Sequence, residues 1–272
     1  MKKILGLLIA LIISTKAFAS LTVMPTRIEA NANKTRASYI STAIEIKGDS
    51  KEIMRFKVYP GFFTINDKAE FIEVEKGNDP HDISKKIKFV PSEFTVLPGK
   101  SQKVRINIVG INSMAEGENR AVLYVEDINP KEFQIGAPVS GIGAQLIVKS
   151  RVGIPIYVDK GNFTKKAEIG SFNVVQKNGG QYLDVKIVST GSSKIRYNSY
   201  VQYIKDTQLV KEVNLGGGVV GGNNSYVFND KLDFKGIESG EYVLRFILTY
   251  MDEKDKKQTL KEEKIIQIKG EM

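Results

Sequence analysis

Apolar and polar residues alternate with a period of two along most of this chain, and the 3.6-residue period of an amphipathic helix is almost absent. Such alternation sends successive side chains to opposite faces of a strand. The pattern predicts strands over residues 39–46, 54–59, 104–109, 121–125, 145–158, 182–188, 200–204 and 242–250. Turn signals rich in Gly, Pro, Asn and Asp separate them, so we predict an all-β chain of the sandwich type.

A polar, turn-prone stretch at residues 159–166, with the sequence DKGNFTKK, interrupts this pattern before it restarts. We therefore predict a domain boundary here, with residues 20–158 and 159–272 forming two immunoglobulin-like β-sandwich domains. Each segment is close to the roughly 100 residues that such a sandwich needs.

The first 19 residues have the features of a cleavable export signal. Lys2 and Lys3 precede an apolar run at residues 4–13, and Ala17-Phe18-Ala19 fits a small-x-small cleavage site. An N-terminal anchor helix is the alternative, although the run is shorter than the roughly 20 residues that span a bilayer. We predict export to the periplasm, with residues 1–19 as the signal peptide and no stable membrane insertion.

Composition removes most catalytic chemistry. The chain has no Cys and one His, which excludes thiolate catalysis and His/Cys metal clusters. His81 lies in a turn-rich polar stretch and is predicted to be a solvated loop residue. The net charge of +9 comes from dispersed Lys and Arg, not from the clustered patch that binds nucleic acid. We expect no enzyme activity, no cofactor and no metal, although a carboxylate pair on a β scaffold is not excluded by the sequence.

One glycine motif needs separate interpretation. Gly216, Gly218 and Gly221 match G-x-G-x-x-G, a phosphate-binding pattern that must open a helix. A β-like polar segment follows instead, so we predict a flexible loop between strands.

The longest alternating segment covers residues 141–158. Its even-numbered apolar residues, from Ile142 to Ile154, fall on one face, and Gln145, Ile147, Lys149 and Arg151 fall on the other. Such a strand is either an open edge that pairs with an extended peptide or an ordinary last strand that leads into the next domain.

Four blocks of the first domain resemble the PapD-like periplasmic chaperones of the chaperone–usher pathway, in that family's order. They are LTVMPTRIEA, KKIKFVPSEFTVLPGKSQKVRINI, GENRAVLYVEDINP and GAQLIVKSRVGIPIYV. The second domain matches more loosely, through GQYLDVKIVSTGSSKI and LDFKGIESGEYVLRFILTY. The resemblance implies two sandwiches in an L-shaped arrangement, a monomer when free, and a role in capping pilus or fimbrial subunits before an outer-membrane usher assembles them.

The resemblance also implies an anchor for the carboxylate that ends the subunit chain. In the family, an Arg on the first strand and a Lys on the last strand of the first domain bind this carboxylate. Arg27 matches the Arg, whereas Gly153 stands at the position of the Lys. Arg151 or Lys149 is the expected substitute.

Further roles follow from the same resemblance. Ala144, Leu146 and Val148 match the alternating apolar residues that the chaperone lends to a subunit as a donor strand. Glu118 matches a Glu that holds the two domains together. The alternative hypothesis is a structural protein or adhesin of the cell envelope that is built from tandem immunoglobulin-like domains.

Overall fold

The computed structural model describes residues 21–48, 51–66, 68, 70–129, 131–135, 144–177 and 179–268, and for residues 131–135 and 144–146 only the backbone. The predicted signal peptide lies outside these residues. The described chain forms 19 strands, numbered here β1 to β19 in chain order, and three single-turn 3-10 helices at Ala32–Lys34, Ser84–Lys86 and Ile111–Ser113. The all-β prediction is confirmed.

The first sandwich packs two sheets around one apolar core. One sheet has the order β1 (Thr22–Met24), β3 (Tyr39–Lys47), β8 (Ser101–Val109), β6 (Ile87–Val90). The other has the order β2 (Ile28–Asn31), β12 (Arg151–Lys160), β9 (Gly117–Asp127), β4 (Met54–Ile65), β5 (Phe71–Val74), with β7 (Glu93–Val96) also paired to β4. Ile44 and Ile106 of the first sheet and Leu123 of the second are fully buried in this core, because alternation turns them inward.

The second sandwich has its own core. Its smaller sheet has the order β13 (Ala167–Lys177), β14 (Gly180–Ser189), β17 (Ser225–Lys231). Its larger sheet has the order β16 (Gln208–Val220), β15 (Ile195–Lys205), β18 (Gly240–Met251), β19 (Lys257–Ile268). Leu183 of the smaller sheet and Tyr203 and Phe246 of the larger are fully buried between them. The chain therefore folds as two sandwiches of immunoglobulin-like architecture.

The long strand that we predicted over residues 145–158 is divided in two. Its first part is β11 (Ala144–Val148), which pairs with β10 (Lys131–Ile135), and its second part is β12. Val148 pairs with Lys131 and Arg151 pairs with Glu126, so two positions on one side face four on the other. The two additional positions on the partner side form a bulge, which interrupts the ladder.

The predicted glycine loop is wrong for Gly216 and Gly218, whereas Gly221 lies in the connection between β16 and β17. Gly216, Gly217 and Gly218 lie within β16 and pair with β15, where the register shifts. A Cβ atom on Gly217 would lie 2.4 Å from the carbonyl oxygen of Tyr197, and one on Gly218 would lie 2.7 Å from its hydroxyl. Gly216 has a φ of +84°, in the left-handed region. These glycines permit a bulge and a close strand approach, and loop flexibility is not their role.

Candidate functional site

One edge of the ribbon formed by β11 and the first half of β12 has no partner strand among the described residues. On one side, β10 pairs with β11 and β9 pairs with β12. On the other side, β2 joins β12 only where Ile28 pairs with Ile156. Residues 144–155 therefore form an uncovered edge on one side of the first sandwich, which we call the open edge.

The backbone N–H and C=O groups of the open edge alternate between the side of β9 and the open side. The backbone N–H of Asp127 donates to the carbonyl of Ser150 at 2.9 Å, so this carbonyl faces β9. In an antiparallel ladder, successive residues turn these groups to opposite sides. Arg151 and Gly153 therefore turn their N–H and C=O groups towards the open side, and the series of donors ends at Pro155, which has no N–H.

The predicted donor residues lie on this edge. Val148 is half-buried, and its neighbour Ile147 is 57% exposed. The side chains of Ala144 and Leu146 lie outside the described atoms, so their alternation stays a prediction. Further along the same face, Ile154 is fully buried in the core of the first sandwich.

The predicted basic anchors do not meet. Arg27 lies immediately before β2, which pairs with the second half of β12, whereas Arg151 begins β12 at its other end. Arg151 forms an ion pair with Glu73 at 2.8 Å. Lys149 is exposed in the break between β11 and β12. The substitution of the family Lys by Arg151 or Lys149 stays a prediction that these contacts do not support.

The ring of Tyr124 packs against Gly153, the position that the resemblance aligns with the family Lys. The ring lies across the outer face of the sheet between two glycines. A Cβ atom on Gly61 would lie 2.5 Å from Cε2 of the ring, and one on Gly153 would lie 3.2 Å from Cε1. The Arg151 guanidinium covers the ring at 4.2 Å from its centroid. Burial, helped by the Glu73 charge, raises the pKa of Tyr124 to about 12.

A different pair of cations meets beside the second sandwich. The Nε of Arg196, on β15, donates to Oε1 of Glu29 at 3.0 Å, and its terminal NH2 donates to the same oxygen at 2.6 Å. The Nε of Arg27 lies 3.3 Å from that oxygen. We call Arg27, Glu29 and Arg196 the carboxylate cluster. It joins the two sandwiches, since Glu29 lies on β2 and Arg196 on β15.

The charges of this cluster favour the ionised form of Glu29. Burial alone would raise its pKa, but the charge of Lys194, the hydrogen bond and charge of Arg196 and the charge of Arg27 outweigh burial. The pKa of Glu29 is therefore lowered. Because the pKa of Glu29 is lowered on folding, the cluster stabilises the folded protein at pH values above the usual pKa of a Glu. This contribution is lost as the pH falls through the pKa of Glu29 in the folded protein.

A second group of contacts is buried between the sandwiches. The backbone N–H of Lys194 donates to Oε2 of Glu118 at 2.8 Å, and the Lys194 ammonium lies 3.5 Å from the same atom. The Ser193 hydroxyl donates to Asp159 at 2.7 Å. The Lys194 ammonium also lies 4.0 Å from the centroid of the Tyr157 ring. The side chains of Glu118 and Lys194 are only 7% and 4% exposed, so each needs its partner.

Sequence reasoning missed Glu29, Lys194 and Arg196. Lys194 and Arg196 lie two positions apart in the stretch GSSKIRY, where nothing in the local sequence distinguishes them from surface cations. Their role depends on how the second sandwich lies against the first, which period-two alternation does not report. The one signal in the sequence was that Gly153 stands where the resemblance expects a Lys.

The open edge and the carboxylate cluster are best suited to binding another molecule. An open edge offers backbone hydrogen bonds, and the carboxylate cluster offers cations to an anion. Among the described residues, no group of three or more His, Cys, Asp or Glu side chains is placed to hold a metal ion. The described helices include none of the length and apolarity required to cross a membrane.

No protein-family model matches this chain, and no curated protein matches it. Among solved structures, the class 5 fimbrial chaperone CfaA is 15% identical with a TM-score of 0.46, over 90% of this chain and 99% of that chain. The CsuC–CsuE chaperone–tip adhesion subunit complex of Acinetobacter baumannii is 13% identical with a TM-score of 0.45, over 89% of this chain and 97% of that chain. The SafA pilin–SafB chaperone complex of Salmonella enterica is 11% identical with a TM-score of 0.44, over 93% of this chain and 99% of that chain.

Proposed function

We propose that this protein is a periplasmic chaperone that binds pilus or fimbrial subunits by lending them an edge strand. The bound subunit would then pass to an outer-membrane usher for assembly. The observation that carries the proposal is the open edge, since residues 144–155 pair with β10 and β9 on one side and have no partner strand among the described residues on the other. An extended segment of a subunit would add to this edge through backbone hydrogen bonds, while alternate side chains give specificity.

An uncovered edge of this length needs a function, because free edges invite aggregation and proteins normally cover them. Here Ile147 is 57% exposed beside the free backbone. Lys149 and Arg151, both exposed on the same edge, would oppose pairing between two copies, since like charges across a strand pair destabilise it. A subunit strand without basic residues would meet no such repulsion.

Apolar donor residues supply the remaining affinity. A subunit that lacks its last strand exposes a hydrophobic groove, and Ala144, Leu146 and Val148 would fill it. Burying a Leu or Val side chain contributes roughly 1.5–3 kcal/mol. Arg27, whose side chain is 46% exposed beside the second sandwich, would bind the carboxylate that ends the subunit chain.

Co-purification tests this proposal. The tagged chain, residues 20–272 after export, would be produced in a periplasm with a fimbrial subunit encoded beside it. We expect a one-to-one complex by size-exclusion chromatography and light scattering, and degradation or aggregation of the subunit when the chain is omitted. A subunit that is soluble and equally abundant alone, or a chain that polymerises with itself as a structural protein or adhesin would, contradicts the proposal.

A further inference from the structure

The carboxylate cluster already has the geometry of a carboxylate-binding site. Two nitrogens of Arg196 lie 3.0 Å and 2.6 Å from one oxygen of Glu29, and Nε of Arg27 lies 3.3 Å from it. One cation comes from each sandwich. Such charge-assisted hydrogen bonds to a carboxylate are about twice as strong as neutral ones.

The two arginines retain binding capacity. A guanidinium has five N–H donors in a rigid fork. Arg27 contacts the Glu29 carboxylate through Nε at 3.3 Å and its side chain is 46% exposed, so its guanidinium is accessible to a second acceptor from solvent. Lys194 contributes positive charge nearby while it stays paired with Glu118. The cluster itself therefore has two cations for one anion.

Glu29 is placed to leave this position. Its side chain is 37% exposed, and its strand, β2, is the outermost strand of its sheet. Rotation of the side chain towards solvent would restore its hydration without exposing core residues. Arg196, which is 34% exposed, would then face the same space as Arg27.

We infer that Arg196 is the second cation that binds the terminal carboxylate of an incoming chain beside Arg27, and that Glu29 occupies this position until that carboxylate displaces it. This inference rests on the proposed function, because the chain end arrives with the strand that adds to the open edge. Arg196 would thereby supply the second cation that the resemblance expects from a Lys at position 153. Binding would exchange an internal bridge between the sandwiches for one that contains the ligand.

Two synthetic peptides provide the test. Both are acetylated nonapeptides that alternate valine with threonine or serine, and one ends in a free carboxylate and the other in an amide. For the wild-type protein we expect tighter binding of the free carboxylate in calorimetry. Arg196→Gln should weaken binding of that peptide by about 10–100-fold, because a hydrogen bond to a charged group contributes about 1.5–3 kcal/mol. Binding of the amidated peptide should change by less than about twofold, since it lacks the charge.

The second variant removes the internal competitor. Glu29→Gln should tighten binding of the free carboxylate by about fivefold, because a competent fraction of roughly one fifth in the wild type lowers the apparent affinity by that factor. Arg245→Gln and Glu263→Gln are matched controls. They break an Arg–Glu pair on the same sheet as Arg196, and Arg245 is 32% exposed against 34% for Arg196. Neither control should alter the preference for the carboxylate.

A measurement on the wild-type protein avoids dependence on the folding of variants. The Glu29 side-chain carboxyl can be titrated by carbon-13 NMR. Saturation with the carboxylate peptide should raise its pKa, since Arg27 and Arg196 then hold the ligand, and the amidated peptide should not. An unchanged Glu29 pKa, or a carboxylate preference that Arg196→Gln leaves intact, overturns this inference alone. Failure of both peptides to bind overturns the proposed function as well.

Discussion

The Leu146→Glu/Val148→Glu protein is expected to lose subunit capture in the periplasm. Both residues lie on the even-numbered face of the open edge, which would enter the subunit groove. Each loses roughly 1.5–3 kcal/mol of burial in the complex, before the cost of placing a carboxylate against apolar surface. The combined loss exceeds about 3 kcal/mol, which corresponds to more than about 100-fold in affinity. The yield of co-purified subunit measures it.

Gln145→Glu/Ile147→Glu is the matched control. It adds the same two negative charges to the same strand, but on the face that would stay outside the groove. Ile147 is already 57% exposed, so its replacement should leave the fold intact. We expect near-normal subunit yield from this control. Equal yields from the two double variants would mean that β11 does not supply the donor face.

The second large effect concerns stability. Lys194→Met is expected to lower the free energy of unfolding by about 3 kcal/mol, because Glu118 would remain buried without its ammonium partner. We take the lower end of the usual range because Arg120 lies 3.8 Å from the other Glu118 oxygen and the Lys194 backbone N–H still donates. For a chain of this length the melting temperature should fall by roughly 6–12 °C.

Lys211→Met provides the comparison. Lys211 forms an ion pair with Asp233 at 2.8 Å within the second sandwich, where the Asp233 side chain is 57% exposed. Its replacement should lower the melting temperature much less than Lys194→Met does, because solvent screens an exposed pair. Adding Glu118→Gln to Lys194→Met should restore part of the lost stability, since the unpaired charge is then gone. Additive losses in the double variant would show that Glu118 and Lys194 do not interact.

Alternation predicted the elements well where one face of a strand packs on a core. Residues 39–46 and 242–250, for example, fall within β3 and β18. Alternation failed where backbone geometry determines whether a strand continues or breaks. The break between Val148 and Arg151 comes from additional residues on the partner strand, and the three glycines of β16 serve a close approach to Tyr197. Neither feature changes the hydrophobic pattern.

The candidate site was predicted only in part. The open edge and Arg27 were identified from alternation and resemblance. The Glu29–Arg196 pair was not, because 167 residues separate its members and two domains must dock before they meet. For the second cation, the resemblance predicted Arg151 or Lys149 as the substitute for the family Lys. Arg151 instead pairs with Glu73, at the opposite end of β12 from Arg27.

Amide hydrogen exchange on the subunit complex tests strand addition most directly. The N–H groups of Arg151 and Gly153 turn towards the open side, whereas those of Val152 and Ile154 turn towards β9. Our account predicts that the subunit slows exchange strongly at Arg151 and Gly153 and changes Val152 and Ile154 little. Unchanged exchange at Arg151 and Gly153, with protection confined to the second sandwich, would contradict it.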